Sequence, residues 1–168
     1  MPTDADVRVL HAMTYLKQFD RKAADAAVRR GVGVVPDSDL GLLRLARAKI
    51  SSRAGRTAQA APMARGAWSK MLDEERRTAA ELLDAAELAT RLWTRANKDA
   101  VALRIARELT GRLEYHADAW TIRARAELAA NEAADARTSA DKAIALDPQN
   151  PRGHEIRGHC LLRFGDKK

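Results

Sequence analysis

Punctuation restricts this chain more than any other feature. Glycine and proline together number 14 in 168 residues. They fall mostly at joints between segments of about 10–18 residues that carry helical signals. No long run alternates apolar and polar side chains, so no segment reads as a strand. Residues 31–35 are the only β-leaning stretch, too short and too glycine-rich to build a sheet. Alanine is about a fifth of the chain and aromatic residues only 4%. Small side chains let helices approach closely, whereas sheets pack through β-branched and aromatic residues. The joints leave helices in consecutive pairs with short turns, and short turns make neighbouring helices antiparallel.

The joints carry their own chemistry. Gly31-Val32-Gly33-Val34-Val35-Pro36-Asp37-Ser38 is one break, Ala54-Gly55-Arg56 a second, and Asp147-Pro148-Gln149-Asn150-Pro151 a third. Asn150 before Pro151 predicts a helix start. Asn caps orphan N–H groups, and Pro at the first helical position gives up no hydrogen bond. Thr78-Ala79-Ala80-Glu81 is a capping-box pattern that predicts a helix from about Ala79. Ser38 and Thr3 are further cap candidates.

Length predicts one domain, 1–168. Apolar residues at 46% and charged residues at 32% fit a folded chain rather than a disordered one. The single cysteine, Cys160, excludes an internal disulfide framework and a cysteine-rich zinc site. No apolar run approaches a spanning helix. The acidic start Met1-Pro2-Thr3-Asp4-Ala5-Asp6 has no apolar core of a secretory signal, so a cytoplasmic setting is expected. The net charge of +7 favours acidic partners without naming them.

A repeat underlies the pairs. In residues 117–150, Trp120, Ala124, Ala136, Ala140, Ala143 and Pro148 take the bulky, small and proline positions of a helix–turn–helix unit with its tight turn at Asn131. This segment resembles the tetratricopeptide repeat, matching its period of about 34 residues. The register extends over 5–38, 41–74 and 83–116, and forward into a half repeat, 151–166. The match is strongest at the C-terminal end. Leu109 and Glu114 depart from the expected alanine and proline. Eight extra residues, 75–82, separate the second and third units and predict a splayed pair or a longer helix. Pro62 predicts either a helix starting near Ala60 or a kink. The resemblance implies an all-α, right-handed solenoid of about four helix hairpins with a C-terminal capping helix. Trp120, Trp93, Leu128, Ile144 and Leu146 are expected to fill the spaces between pairs. Truncating Trp120 to Ala is expected to cost about 3–5 kcal/mol.

The residues offer no catalytic constellation, so no enzymatic activity is expected. Gly31-Val32-Gly33-Val34-Val35-Pro36 starts like a dinucleotide fingerprint but has Pro at the third glycine and follows a helix, so it reads as a turn. His154, His159 and Cys160 look like metal ligands, but residues five apart on a helix do not share a face. No metal and no cofactor is expected. Cys160 reads as a small buried hydrophobe, and Asp73-Glu74-Glu75 with Arg76-Arg77 as a solvated turn.

One electrostatic pattern stands out under the repeat register. In the family it resembles, the first helix of each pair lines the concave face and presents its ninth and thirteenth residues there. Those are Met13 and Lys17, Lys49 and Arg53, Arg91 and Arg95, Arg125 and Ala129, His159 and Arg163. Seven of these ten are basic, where composition alone gives about two. Lys49, Arg53, Arg91, Arg95, Arg125 and Arg163 are therefore the candidate partner-binding residues. The second and fifth positions carry the opposite sign: Asp6, Asp84, Glu87, Asp118 and Glu155. Bases near helix ends also complement the macrodipole, which explains Arg53, Arg95 and Arg163 equally well. It explains Lys49, Arg91 and Arg125 less well. No Asn falls at a ninth position, so the family's carboxylate clamp is not carried over.

Three functions follow as alternatives. The first is a non-catalytic adaptor or scaffold that binds an acidic peptide or protein on its concave face. The second is a helical-repeat module of a larger enzyme or a secretion or assembly chaperone. Nucleic-acid binding ranks below both, because few aromatics are present to stack bases. No membrane contact is expected. Self-association through Leu161, Leu162 and Phe164 stays open.

Overall fold

A computed structural model describes Val7 and residues 10–12, 14–15, 20–32, 40–74 and 77–164. Thr3, Ser38, Pro36, Phe19, Met13, Lys17 and the Gly165-Asp166 turn lie outside the described residues, as do the side chains of Arg163 and Phe164. Among the described residues Val7, 10–12 and 14–15 are helical, no strand occurs, and eight further helices run for 12 to 17 residues. They are α1 (Arg21–Val32), α2 (Leu40–Arg53), α3 (Thr57–Asp73), α4 (Ala79–Arg95), α5 (Asp99–Arg112), α6 (Ala117–Ala129), α7 (Ala133–Leu146) and α8 (Pro151–Phe164). The all-α expectation holds. No helix among the described residues is long and apolar enough to cross a membrane.

The turns explain the periodicity. Gly55, Asn97 and Asn131 each adopt positive φ, at 75°, 54° and 66°. A left-handed residue reverses the chain in two or three residues, and Gly and Asn adopt that region at least cost. Asn97 and Asn131 are one repeat apart, whereas Gly55 and Asn97 differ by that repeat plus the eight extra residues 75–82.

The helix starts follow from capping. Asp20 accepts the Ala23 N–H through Oδ1 at 2.9 Å, opening α1. The predicted capping box opens α4: the Thr78 N–H donates to Glu81 Oε2 at 2.9 Å and the Glu81 N–H to Thr78 Oγ1 at 3.3 Å. Asn150 Oδ1 accepts from Arg152 and Gly153 N–H groups at 3.1 and 3.2 Å, and Pro151 is the first residue of α8. Of the two readings of Pro62, the helix start near Ala60 is excluded. α3 begins at Thr57, so Pro62 lies one turn deeper than a first-turn proline. Its missing N–H leaves the Ala58 carbonyl without its helical donor. Both residues are exposed, so water can serve instead.

The chain packs as two compact units, Met1–Leu92 and Trp93–Lys168. In the first unit α1 packs on α2 through Ala24, Ala27, Val28, Ala46 and Ile50, with Ala12 and the half-buried Tyr15 completing the cluster. α2 and α3 form a hairpin, and α3 buries Ala60, Ala61, Ala64, Ala67, Trp68 and Met71. Trp68 is only 1% exposed, the bulkiest fully buried side chain described.

A buried ionic cluster closes that unit where the extra residues enter. Glu74 Oε1 accepts the Gly41 N–H at 3.1 Å, so a carboxylate from the end of α3 caps the start of α2. Arg77 Nε lies 2.7 Å from Glu74 Oε2, and both side chains are almost fully buried. Arg77 Nη1 also reaches Glu81 at 3.4 Å. Gly41 permits this closeness: a Cβ there would sit 2.4 Å from Met71 Cγ and 2.8 Å from Glu74 Oε2. The sequence reading of 73–77 as a solvated turn is corrected for Glu74 and Arg77. Of the extra residues, Arg77 is tied down by these carboxylates, and those from Ala79 on form the first turn of α4.

In the second unit α5 packs on α6, α6 on α7, and α8 on both α6 and α7. One cluster joins Ala124, Ala136, Ala140, Ile156 and Cys160 with Leu128 against it, and another joins Leu103, Ala106 and Ala126. Alanines let the backbones approach while the branched residues fill the remaining space. Trp120 is half-buried rather than a deep anchor. Its Nε1 donates to the Glu114 carbonyl at 2.6 Å, and Arg123 stacks 5.2 Å from its ring centre. Arg123 in turn holds the fully buried Glu127 carboxylate at 2.7 Å.

Candidate functional site

Two helix stripes meet in a polar cleft of about 290 Å3 within the first unit. On α2, Lys49, Ser52 and Arg53 lie three and four residues apart. On α4, Asp84, Glu87, Leu88 and Arg91 repeat the same spacing. That spacing puts each set on one side of its helix. The Lys49 ammonium pairs with Asp84 across the cleft, with side chains 25% and 49% exposed. Such a solvated pair is worth only about 0–1 kcal/mol.

The cleft therefore gathers three of the six predicted basic residues, Lys49, Arg53 and Arg91. It also contains Asp84 and Glu87, which the register put at the second and fifth positions of the same repeat. The site is of mixed sign, with three cations against two carboxylates. Arg53 and Arg95 occupy the last turns of α2 and α4, where a cation also offsets the helix dipole. Lys49 and Arg91 are mid-helix. Arg95 and Arg125 are exposed within the second unit, on α4 and α6. Arg163 lies near the end of α8.

The other candidates separate as chemistry requires. His154 and His159 are exposed while Cys160 is buried. His154 Nε2 lies 3.0 Å from the Pro148 carbonyl, bracing the turn before α8. Burial pushes the Cys160 thiol above the ordinary thiol range, with the nearby Arg137 pulling the other way. A thiol held protonated is a poor nucleophile. Among the described residues no three His, Cys, Asp or Glu side chains are grouped so as to hold a metal ion. A second, more apolar hollow of about 420 Å3 lies along residues 111–116, where Tyr115 is 81% exposed. The Glu114 carboxylate hydrogen-bonds the Tyr115 phenol and holds its pKa above the usual value. None of the predicted binding residues borders that hollow.

No family model matches the sequence, and no curated protein matches it. Solved structures do match. The MamA RS-1 ArsTM double mutant superposes with a TM-score of 0.71 at 14% identity, covering 99% of this chain and 88% of that one. The P58(IPK) TPR domain gives 0.44 at 16% identity, covering 98% and 58%. MamA is a tetratricopeptide-repeat-type protein, and a match over nearly the full length of both chains at that score is a match of fold. The helix pairs, the left-handed turns one repeat apart and this superposition together give the chain a tetratricopeptide-repeat-like, all-α fold.

Proposed function

We propose that the protein is a non-catalytic interaction module, working in the cytoplasm, that holds an acidic segment of a partner protein along its concave face. The observation that carries this reading is the convergence of Lys49, Arg53 and Arg91 on one cleft. A polar cleft of that size suits a few side chains of an extended polypeptide better than a buried small molecule, which needs a mostly apolar pocket. Arg95, Arg125 and Arg163 hold the equivalent repeat positions and are proposed as further contacts. The carboxylates of Asp84 and Glu87 can meet backbone N–H groups or basic residues of the same partner segment, which fixes its register. They weigh against a phosphate backbone in the same place.

The test is direct. A fluorescent decaglutamate peptide is titrated into the wild type and into Arg91→Glu and Lys49→Glu variants at low salt. Each reversal is expected to weaken binding at least tenfold, and 0.3 M salt to weaken the wild type strongly. Equal affinity across the three proteins would remove the cleft from the binding reaction.

A further inference from the structure

Charge is distributed unevenly along this chain. Residues 40–72, which make up α2 and nearly all of α3, contain seven basic residues and no acidic one. The other 135 residues contain 23 basic and 23 acidic residues. The entire net charge of +7 therefore belongs to one helical hairpin.

Four of the seven basic residues face solvent and lie outside the cleft. Arg44 and Arg47 are one turn apart on α2, Arg56 sits at the hairpin turn beside Gly55, and Arg65 is on α3. Ion pairs neutralise charge locally in the remainder of the chain, as in Arg107–Glu132 and Arg157–Asp141. The hairpin has no carboxylate of its own to do this. At low salt, where the screening length is about 30 Å at 0.01 M, a balanced remainder contributes little at long range and the hairpin dominates.

We propose that the α2–α3 hairpin is the electrostatic docking pole of the protein: Arg44, Arg47, Arg56 and Arg65 draw in an acidic polypeptide, which then seats in the adjacent cleft. This rests on the proposed function and divides its labour. The four outer arginines set how fast the partner arrives, and Lys49 and Arg91 set how long it stays. Remote charges act on encounter, whereas direct contacts act on dissociation. A polypeptide is favoured over nucleic acid for two reasons. Asp84 and Glu87 lie beside the hairpin and repel phosphates. The single aromatic residue of the hairpin, Trp68, is buried and offers no stacking surface.

Stopped-flow association of decaglutamate separates the two roles. The first variant reverses Arg44, Arg47, Arg56 and Arg65 to Glu. The second reverses four exposed cations of the other unit, Arg104, Arg112, Arg137 and Lys142, to Glu, giving the same change in net charge. Circular dichroism confirms that both remain helical, and the eight single reversals of these exposed residues are available should a quadruple variant unfold. The hairpin variant is expected to associate at least tenfold more slowly at 10 mM salt, with a flattened salt dependence and less than a threefold change in dissociation rate. The second variant is expected to lose far less. Equal slowing in both variants overturns the proposal in favour of net charge alone. Tighter binding of a 20-base-pair DNA duplex overturns the choice of polypeptide. Arg91→Glu without effect on wild-type affinity defeats the underlying site reading, whereas a normal association rate in the hairpin variant beside a weakened Arg91→Glu defeats the docking pole alone.

Discussion

Trp68→Ala is expected to lower the unfolding free energy by about 3–5 kcal/mol, measured by urea denaturation followed by circular dichroism. The indole is 1% exposed and lies on the buried stripe of α3 with Ala60, Ala61, Ala64, Ala67 and Met71. Its neighbours on that stripe are mostly alanines, whose short side chains cannot swing in to fill the space left behind. The cavity therefore persists, and its cost adds to the lost burial. Against a typical total of about 5–15 kcal/mol, the loss is large enough to melt the first unit at modest denaturant. Trp120→Ala is expected to cost clearly less, because that ring is half-buried and Arg123 covers one face. A larger loss at Trp120 than at Trp68 contradicts this packing.

Glu74→Ala is expected to destabilise by about 3 kcal/mol, the lower end of the range for breaking a buried ion pair. It removes the carboxylate 2.7 Å from the buried Arg77 guanidinium, and it removes the acceptor of the Gly41 N–H. Glu74→Gln keeps an acceptor of the same size and is expected to retain part of that loss. The double variant Glu74→Ala with Arg77→Ala is expected to be less destabilised than the two single losses added together, since no unpaired charge is left inside. Strict additivity in that cycle contradicts a buried coupled pair.

These two residues also mark what the sequence could and could not reveal. The helix pairs were legible because their signals are local: the Thr78–Glu81 box, Asn150 before Pro151, and Gly or Asn at each tight turn. The repeat register placed Lys49 and Arg91 at equivalent positions of successive units, and both line one cleft. Trp68 was not legible. The register asks for bulk at positions such as Trp120 and Trp93 and has no assigned place for a large ring beside Ala67. Charge at a joint is usually exposed, so nothing local in the sequence marks Glu74 and Arg77 as buried; the return of α3 to the start of α2 buries them. The charge carried by 40–72 was present in the sequence all along. It is a property of a whole hairpin, spread over many repeat positions, and no single repeat position carries it.

The proposed binding site for an acidic partner is the cleft between α2 and α4. Backbone amide NMR shifts recorded during a decaglutamate titration test it most directly. The expected result is saturable shifts concentrated at Lys49, Ser52, Arg53, Asp84, Glu87, Leu88 and Arg91, abolished by 0.3 M salt. Shifts confined to α7 and α8, or no saturable shift at any peptide concentration, contradict it.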